Sequence, residues 1–120
     1  MALSEVFTVK EMSVTLNEVN LMGQTALHYA VKNNLYDTAE FLIHTCKVKI
    51  NVQNKMGNTP LHIAVLNNWQ PIVEMLIHAK IDVLIENKEG YNCLEHSKRR
   101  EHVALCEYLD PVVVHAEIWQ

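Results

Sequence analysis

Three stretches of this chain copy one another at a nearly constant spacing, and a repeat of that length leaves few architectures open. They read Asn20-Leu-Met-Gly-Gln-Thr-Ala-Leu-His-Tyr-Ala30, Asn54-Lys-Met-Gly-Asn-Thr-Pro-Leu-His-Ile-Ala64 and Asn87-Lys-Glu-Gly-Tyr-Asn-Cys-Leu-Glu-His-Ser97. Their glycines, Gly23, Gly57 and Gly90, fall 34 and then 33 residues apart. A unit this short cannot bury an apolar face alone. Copies must therefore stack, each touching its neighbours, into a one-dimensional array.

Each position within the unit has a local reason. Asn-x-x-Gly makes a tight turn in which glycine accepts a positive φ that a Cβ opposes. Thr25 and Thr59 stand where a side-chain oxygen caps the following helix, and Pro60 occupies a first turn that needs no N–H. Leu27 with Ala30, and Leu61 with Ala64, recur at i and i+3 and share a helix face. A second helix follows, with stripes Thr38, Ala39, Leu42 and Ile43, then Ile72, Val73, Leu76 and Ile77, then Leu105, Cys106 and Leu109. Between the two helices stand Asn34 and Asn68, residues that tolerate the left-handed conformation. Pro71 falls at a helix start, where it does no harm.

The period and the Thr-Pro-Leu-His-x-Ala core of residues 59–64 resemble the ankyrin repeat, over residues from about 20 to 109. The resemblance implies an all-α ankyrin-repeat solenoid of helix-turn-helix units with short β-hairpin connections. Residues 20–53 and 54–86 are then repeats, the first one residue longer through the stretch Cys46 to Asn51. Residues 87–110 form a degenerate C-terminal capping repeat, with Asn92 for Thr, Cys93 for Pro, Glu95 for His and Ser97 for Ala. Terminal repeats are atypical because nothing stacks on their outer side. Residues 1–19 read as a partial N-terminal capping unit, with a Ser4 cap, a helix from about Glu5 to Glu11 and a strand-like Val14–Val19. Pro111 is expected to end the last helix. Residues 111–120 then form an apolar tail whose Val112–Trp119 run is β-prone and needs a cover: the last repeat, a second copy, or a partner.

Composition narrows the function classes. With 120 residues the chain is one domain's worth, and a net charge of −4 gives no basic excess, so direct nucleic-acid binding is not expected. No apolar run nears the roughly 20 residues of a membrane helix. The first dozen residues are too charged for a signal-peptide core, three cysteines cannot all pair, and no Asn-x-Ser/Thr acceptor occurs. A cytoplasmic or nuclear location is the expectation. No cofactor loop is present, since the three glycines are one per repeat, and no nucleophile–base arrangement stands out. The resemblance makes His28 and His62 structural, bonded to the Thr hydroxyl and nearby loop backbone. A zinc site from Cys93, His96, His102 and Cys106 is the sharper alternative, since His102 and Cys106 share a face at i, i+4. The register argues against it: Cys106 aligns with core Val73, Cys93 with Pro60, and His102 with the interhelical Leu35 and Trp69.

The resemblance also says where binding happens: along a concave strip of turn tips and exposed first-helix positions. Here that strip comprises Leu21, Met22, Gln24, Lys32 and Asn33, then Lys55, Met56, Asn58, Leu66 and Asn67, then Lys88, Glu89, Tyr91, Arg99 and Arg100. Apolar Leu21, Met22, Met56, Leu66 and Tyr91 stand at positions the fold does not need filled, and exposed Met and aromatic residues favour protein contacts. Isolated surface hydrophobes are the bland alternative. The run Lys98-Arg99-Arg100 reads first as a solvated helix end. The expected role is a non-catalytic adaptor or inhibitor of a protein partner, similar to NF-kappa-B-inhibitor-like ankyrin proteins. A structural or targeting subunit attached through its tail, self-association through residues 112–119, and a zinc-dependent enzyme are the alternatives. Asn51 matches the turn asparagine that asparaginyl hydroxylases modify in similar proteins.

Overall fold

A computed structural model describes residues 17–119. The expected N-terminal cap and helix of residues 4–11, and the start of the strand-like segment, lie outside these residues; Asn17 to Val19 are turn and coil. Six helices follow: α1 (Ala26–Lys32), α2 (Tyr36–His44), α3 (Pro60–Leu66), α4 (Gln70–His78), α5 (Cys93–Arg99) and α6 (Val103–Ile118). They pack as the pairs α1–α2, α3–α4 and α5–α6, and the inner helices α1, α3 and α5 also pack in series, α1 on α3 and α3 on α5.

The inner helices are seven residues long, too short to persist alone, so caps and stacking hold them. Thr25 and Thr59 cap α1 and α3 as expected: each hydroxyl accepts the N–H three residues on, and the histidine there reaches back to the cap N–H. In the third unit Asn92 and Glu95 rebuild the same reciprocal box with different residues, so substitution of both Thr and His does not cost the cap. The three-residue turns to the outer helices carry Asn34 and Asn68 at φ +57° and +59°, and Glu101 at +57° in the third unit. Buried Ser97, standing where the earlier units have Ala, donates its hydroxyl to the Leu94 carbonyl at 2.7 Å. No polar atom of Ser97 is stranded.

The core runs without a break through all three units: Leu27, Ala30 and Val31, then Leu61, Ala64 and Val65, then Leu94, Leu105 and Leu109. Outer helix α2 buries Ala39, Leu42 and Ile43, but Thr38, expected beside them, is exposed. Its hydroxyl side chain stays at the surface where Ile72 and Leu105, its later counterparts, are fully buried.

Two expectations need correction. No strand occurs among the described residues; the connections are tight turns, not β-hairpins. The reason is the turn asparagine. Asn54 Oδ1 accepts the N–H groups of Met56 and Asn58 at 2.9 and 3.0 Å, and Asn20 and Asn87 do the same in their units. A side chain thus fills bonds that a ladder would have made. The second correction concerns the tail. Pro111 does not end the last helix, which runs on to Ile118. Proline removes the N–H that would reach the Glu107 carbonyl, and both residues are exposed, where a backbone carbonyl can turn to solvent. The apolar run then continues the helical period: Leu105, Leu109 and Val113 are fully buried at four-residue steps. Val112 and Ala116 pack beside them, and Val114, Ile118 and Trp119 stay exposed.

Candidate functional site

Adjacent units are riveted at three levels, and these rivets set the geometry of the outward strip. At the turns, the Lys55 N–H donates to the Met22 carbonyl at 2.9 Å and the Lys88 N–H to that of Met56 at 3.1 Å. At the helix starts, Thr25 N–H points at His28 Nδ1, so that nitrogen is an acceptor and Nε2 carries the proton. Nε2–H then donates across to the Asn58 carbonyl at 3.0 Å, and His62 donates to that of Tyr91 at 2.8 Å. Burial pushes both imidazoles below the ordinary histidine value, against the pull of these carbonyls. Neutral clamps result, as the resemblance implied.

At the helix ends a third link appears that the sequence did not announce. Trp69 Nε1 donates to the Lys32 carbonyl at 3.4 Å, and His102 Nε2 meets the corresponding Leu66 carbonyl at 3.2 Å. These two residues stand at the same interhelical position of successive units. Each ties its own unit to the last turn of the preceding inner helix.

The rivets bring the expected strip residues together in three tiers. Turn tips carry Leu21, Met22, Lys55, Met56, Lys88 and Glu89, all exposed; Leu21 is 88%, Met22 53% and Met56 55% open to solvent. Gln24, Asn58 and Tyr91, next in line, are half-buried. The inner-helix ends supply Lys32, Asn33, Leu66, Asn67, Arg99 and Arg100, of which Leu66 and Asn67 are half-buried. Several of these side chains are spent internally. Asn33 and Asn67 donate their amides to the carbonyls of Tyr29 and Ile63, finishing their helices, and Asn58 accepts from the Asn87 amide. The residues with side chains free to meet a partner are therefore the tip hydrophobes and the cations.

In the third unit the strip closes into a pocket. Glu89, Tyr91, His96, Arg99 and Arg100 line a cavity of about 210 Å³. The Arg99 guanidinium lies over the Tyr91 ring, 5.1 Å from its centre, and the His62 and His96 rings meet edge to face at 5.9 Å. His96 was singled out in the sequence only as a zinc-ligand candidate; its alignment with Tyr29 and Ile63, the variable position of the motif, was the available signal. Burial pushes its imidazole below the ordinary value, Arg100, Arg99 and His102 add to that, and Glu89 opposes it. The other members of that constellation point elsewhere. Cys93 Sγ meets the Val83 carbonyl, Cys106 Sγ the Ser97 hydroxyl, and His102 the Leu66 carbonyl. Among the described residues no three His, Cys, Asp or Glu side chains gather around a common point.

Asn51 is exposed, and its side-chain oxygen accepts the Asp82 N–H at 2.8 Å, as Asn17 accepts that of Lys49 one repeat earlier. On the opposite side, Tyr36, Glu40, His44, Pro71, Glu74, Met75 and His78 line a shallow groove between outer helices α2 and α4.

A family model of ankyrin repeats in three copies matches residues 43–111, more than half of the chain, and a second, of many copies, matches residues 11–64. The chain belongs to the ankyrin-repeat family. Together the matches run from residue 11 to 111, so repeat character begins upstream of Asn20 and takes in the degenerate third unit. Ankyrin repeats mark a protein–protein interaction module, and such domains are in general non-catalytic. No curated protein matches the chain. No helix among the described residues is long and apolar enough to cross a membrane.

Proposed function

We propose that this ankyrin-repeat protein holds a protein partner along its turn tips and inner-helix ends, acting as a non-catalytic adaptor or inhibitor. The observation that carries this reading is the exposure of Leu21, Met22 and Met56 on turns that are hydrogen-bonded unit to unit. Exposed apolar side chains on a rigid, pre-organised frame lose little entropy on binding. The cations Lys32, Lys55, Lys88, Arg99 and Arg100 alternate with them and orient the partner. A short stack of this kind resembles the stand-alone NF-kappa-B-inhibitor-like proteins. Free thiols at Cys46, Cys93 and Cys106 support a reducing compartment, cytoplasm or nucleus.

The test compares two double variants in affinity capture from cell lysate. Met56→Ser with Leu66→Ser should weaken capture by about 2–4 kcal/mol, because contact energy concentrates near the centre of an interface. Leu66 is half-buried yet does not belong to the apolar core, so folding should persist. Glu40→Gln with Glu74→Gln, in the outer-helix groove, should leave capture unchanged. The reverse pattern would move the site to the outer helices.

A second reading has its own observation. Val114, Ile118 and Trp119 are exposed on the extended α6, Trp119 to 74%. A structural or targeting subunit, or a self-associating one, would attach there. Removal of residues 114–120 would then abolish assembly while the Met56/Leu66 pair did not.

A further inference from the structure

His96 is stranded. It is only 8% exposed, and both ring nitrogens lie buried with no hydrogen-bond partner among the described residues. A neutral imidazole has one N–H to donate and one bare nitrogen, and leaving both unmet in an apolar setting is costly. The two other buried motif-region histidines, His28 and His62, are bonded at both nitrogens. His96 stands one position past those clamps, where the earlier units carry Tyr29 and Ile63, and it lines the open pocket at the end of the strip.

The pocket's other walls say what would meet it. Arg99 and Arg100 bring two fixed positive charges, and stacking on Tyr91 holds the Arg99 guanidinium at the rim. Glu89 brings one negative charge. At about 210 Å³ the space is several times the ~30 Å³ share of one water, enough for the end of an acidic side chain. Guanidinium N–H groups match a carboxylate in a bidentate fork, and His96 N–H would complete its shell. Arg99 and Arg100 against Glu89 leave the lining one net positive charge, which a single carboxylate neutralises and a phosphate dianion would overfill. The surroundings agree: the strip carries five cations (Lys32, Lys55, Lys88, Arg99, Arg100) against the single anion Glu89, in a chain of net charge −4.

We propose that the pocket formed by Tyr91, His96, Arg99, Arg100 and Glu89 receives a carboxylate side chain from an acidic segment of the protein partner. This deepens the groove reading and rests on it for the partner's being a protein. His96 is then the buried donor at the floor, the two arginines are the clamp, and Glu89 selects for single over double negative charge.

The experiment titrates the whole protein with a hexaglutamate peptide, using hexaglutamine and a phosphoserine hexapeptide as comparisons, and follows the His96 ring by NMR. Hexaglutamate should shift the His96 ring signals saturably, and hexaglutamine should not. Arg99→Gln with Arg100→Gln should weaken hexaglutamate binding at least about tenfold, since even one charge-assisted hydrogen bond lost has that effect. Both arginines are exposed, so this variant should keep its fold. Glu89→Gln should tighten binding about two- to threefold by removing the like charge. An unmoved His96, or equal binding by the arginine variant, overturns the proposal. Tighter binding of the phosphoserine peptide overturns it in favour of a phosphate site. Met56→Ser with Leu66→Ser should leave hexaglutamate binding intact, so failure of the groove and failure of the pocket give different patterns.

Discussion

Alanine at Gly57 and at Gly90 should have very different effects, although the two glycines hold the same place in successive units. Both have a positive φ, +81° and +85°. Alanine costs about 1–2 kcal/mol in that region, offset by about 0.4–1 kcal/mol from a stiffer unfolded chain. For Gly90 nothing else is at stake, since no atom lies within 4 Å of where its Cβ would be. The expected loss is about 1 kcal/mol. At Gly57 the new Cβ would sit 2.5 Å from the Lys88 nitrogen and 3.0 Å from Asn87 backbone carbon. Backbone cannot swing aside as a side chain would, so the turns must part. Parting breaks the bond from the Lys88 N–H to the Met56 carbonyl, worth about 0.5–1.5 kcal/mol, and adds about 1–3 kcal/mol of overpacking. Gly57→Ala should therefore cost about 2–4 kcal/mol more than Gly90→Ala. In urea denaturation followed by far-ultraviolet circular dichroism, with a slope near 2 kcal/mol/M, the midpoints should differ by about 1–2 M. Equal midpoints for the two variants would refute the close approach of turns that this reasoning requires.

Other expectations follow from the core and the clamps. Leu61→Ala, at a side chain 1% exposed in the central unit, should cost about 2–5 kcal/mol, and an unchanged melting temperature would place Leu61 outside the core. His28, His62 and His96 all have folded values lowered from 6.5 by burial. The unfolded chain then binds more protons below that value, so stability is fully present above it and falls as pH drops toward the lowered folded values. Each histidine contributes up to about 1.4 kcal/mol per pH unit within that window. A melting temperature flat between about pH 7 and pH 5.5 would contradict the neutral clamps. Asn51 matches the turn asparagine that hydroxylases modify in similar proteins, and an oxygen added at its Cβ would leave its Oδ1 free to keep the Asp82 bond. Mass spectrometry of protein from an oxygen-replete animal cell should show a species one oxygen heavier, and only the unmodified mass would end the idea.

What the sequence by itself determined is the part of the structure written in short-range chemistry. Thr25 and Thr59 cap their helices because a hydroxyl at that offset reaches the third N–H, whatever surrounds it. Asn34 and Asn68 turn the chain because asparagine tolerates a positive φ, and the leucine–alanine faces follow from helical period alone. The family resemblance added the histidine clamps, which cross between units and have no local signature.

Tertiary structure decided the rest. A run of Val112, Val113 and Val114 after a proline reads as β-prone in isolation; only burial of Val113 in line with Leu105 and Leu109 makes it helix. Trp69 and His102 were legible as turn residues, but the carbonyls they reach lie 37 and 36 residues back along the chain. His96 is the sharpest case. Its sequence neighbours suggested a metal ligand, whereas its unmet nitrogens and the arginine-rimmed cavity above it exist only once the turn at Glu89 and the end of α5 are folded together. Local propensity acts over a few residues, while desolvation of a polar group depends on everything packed around it.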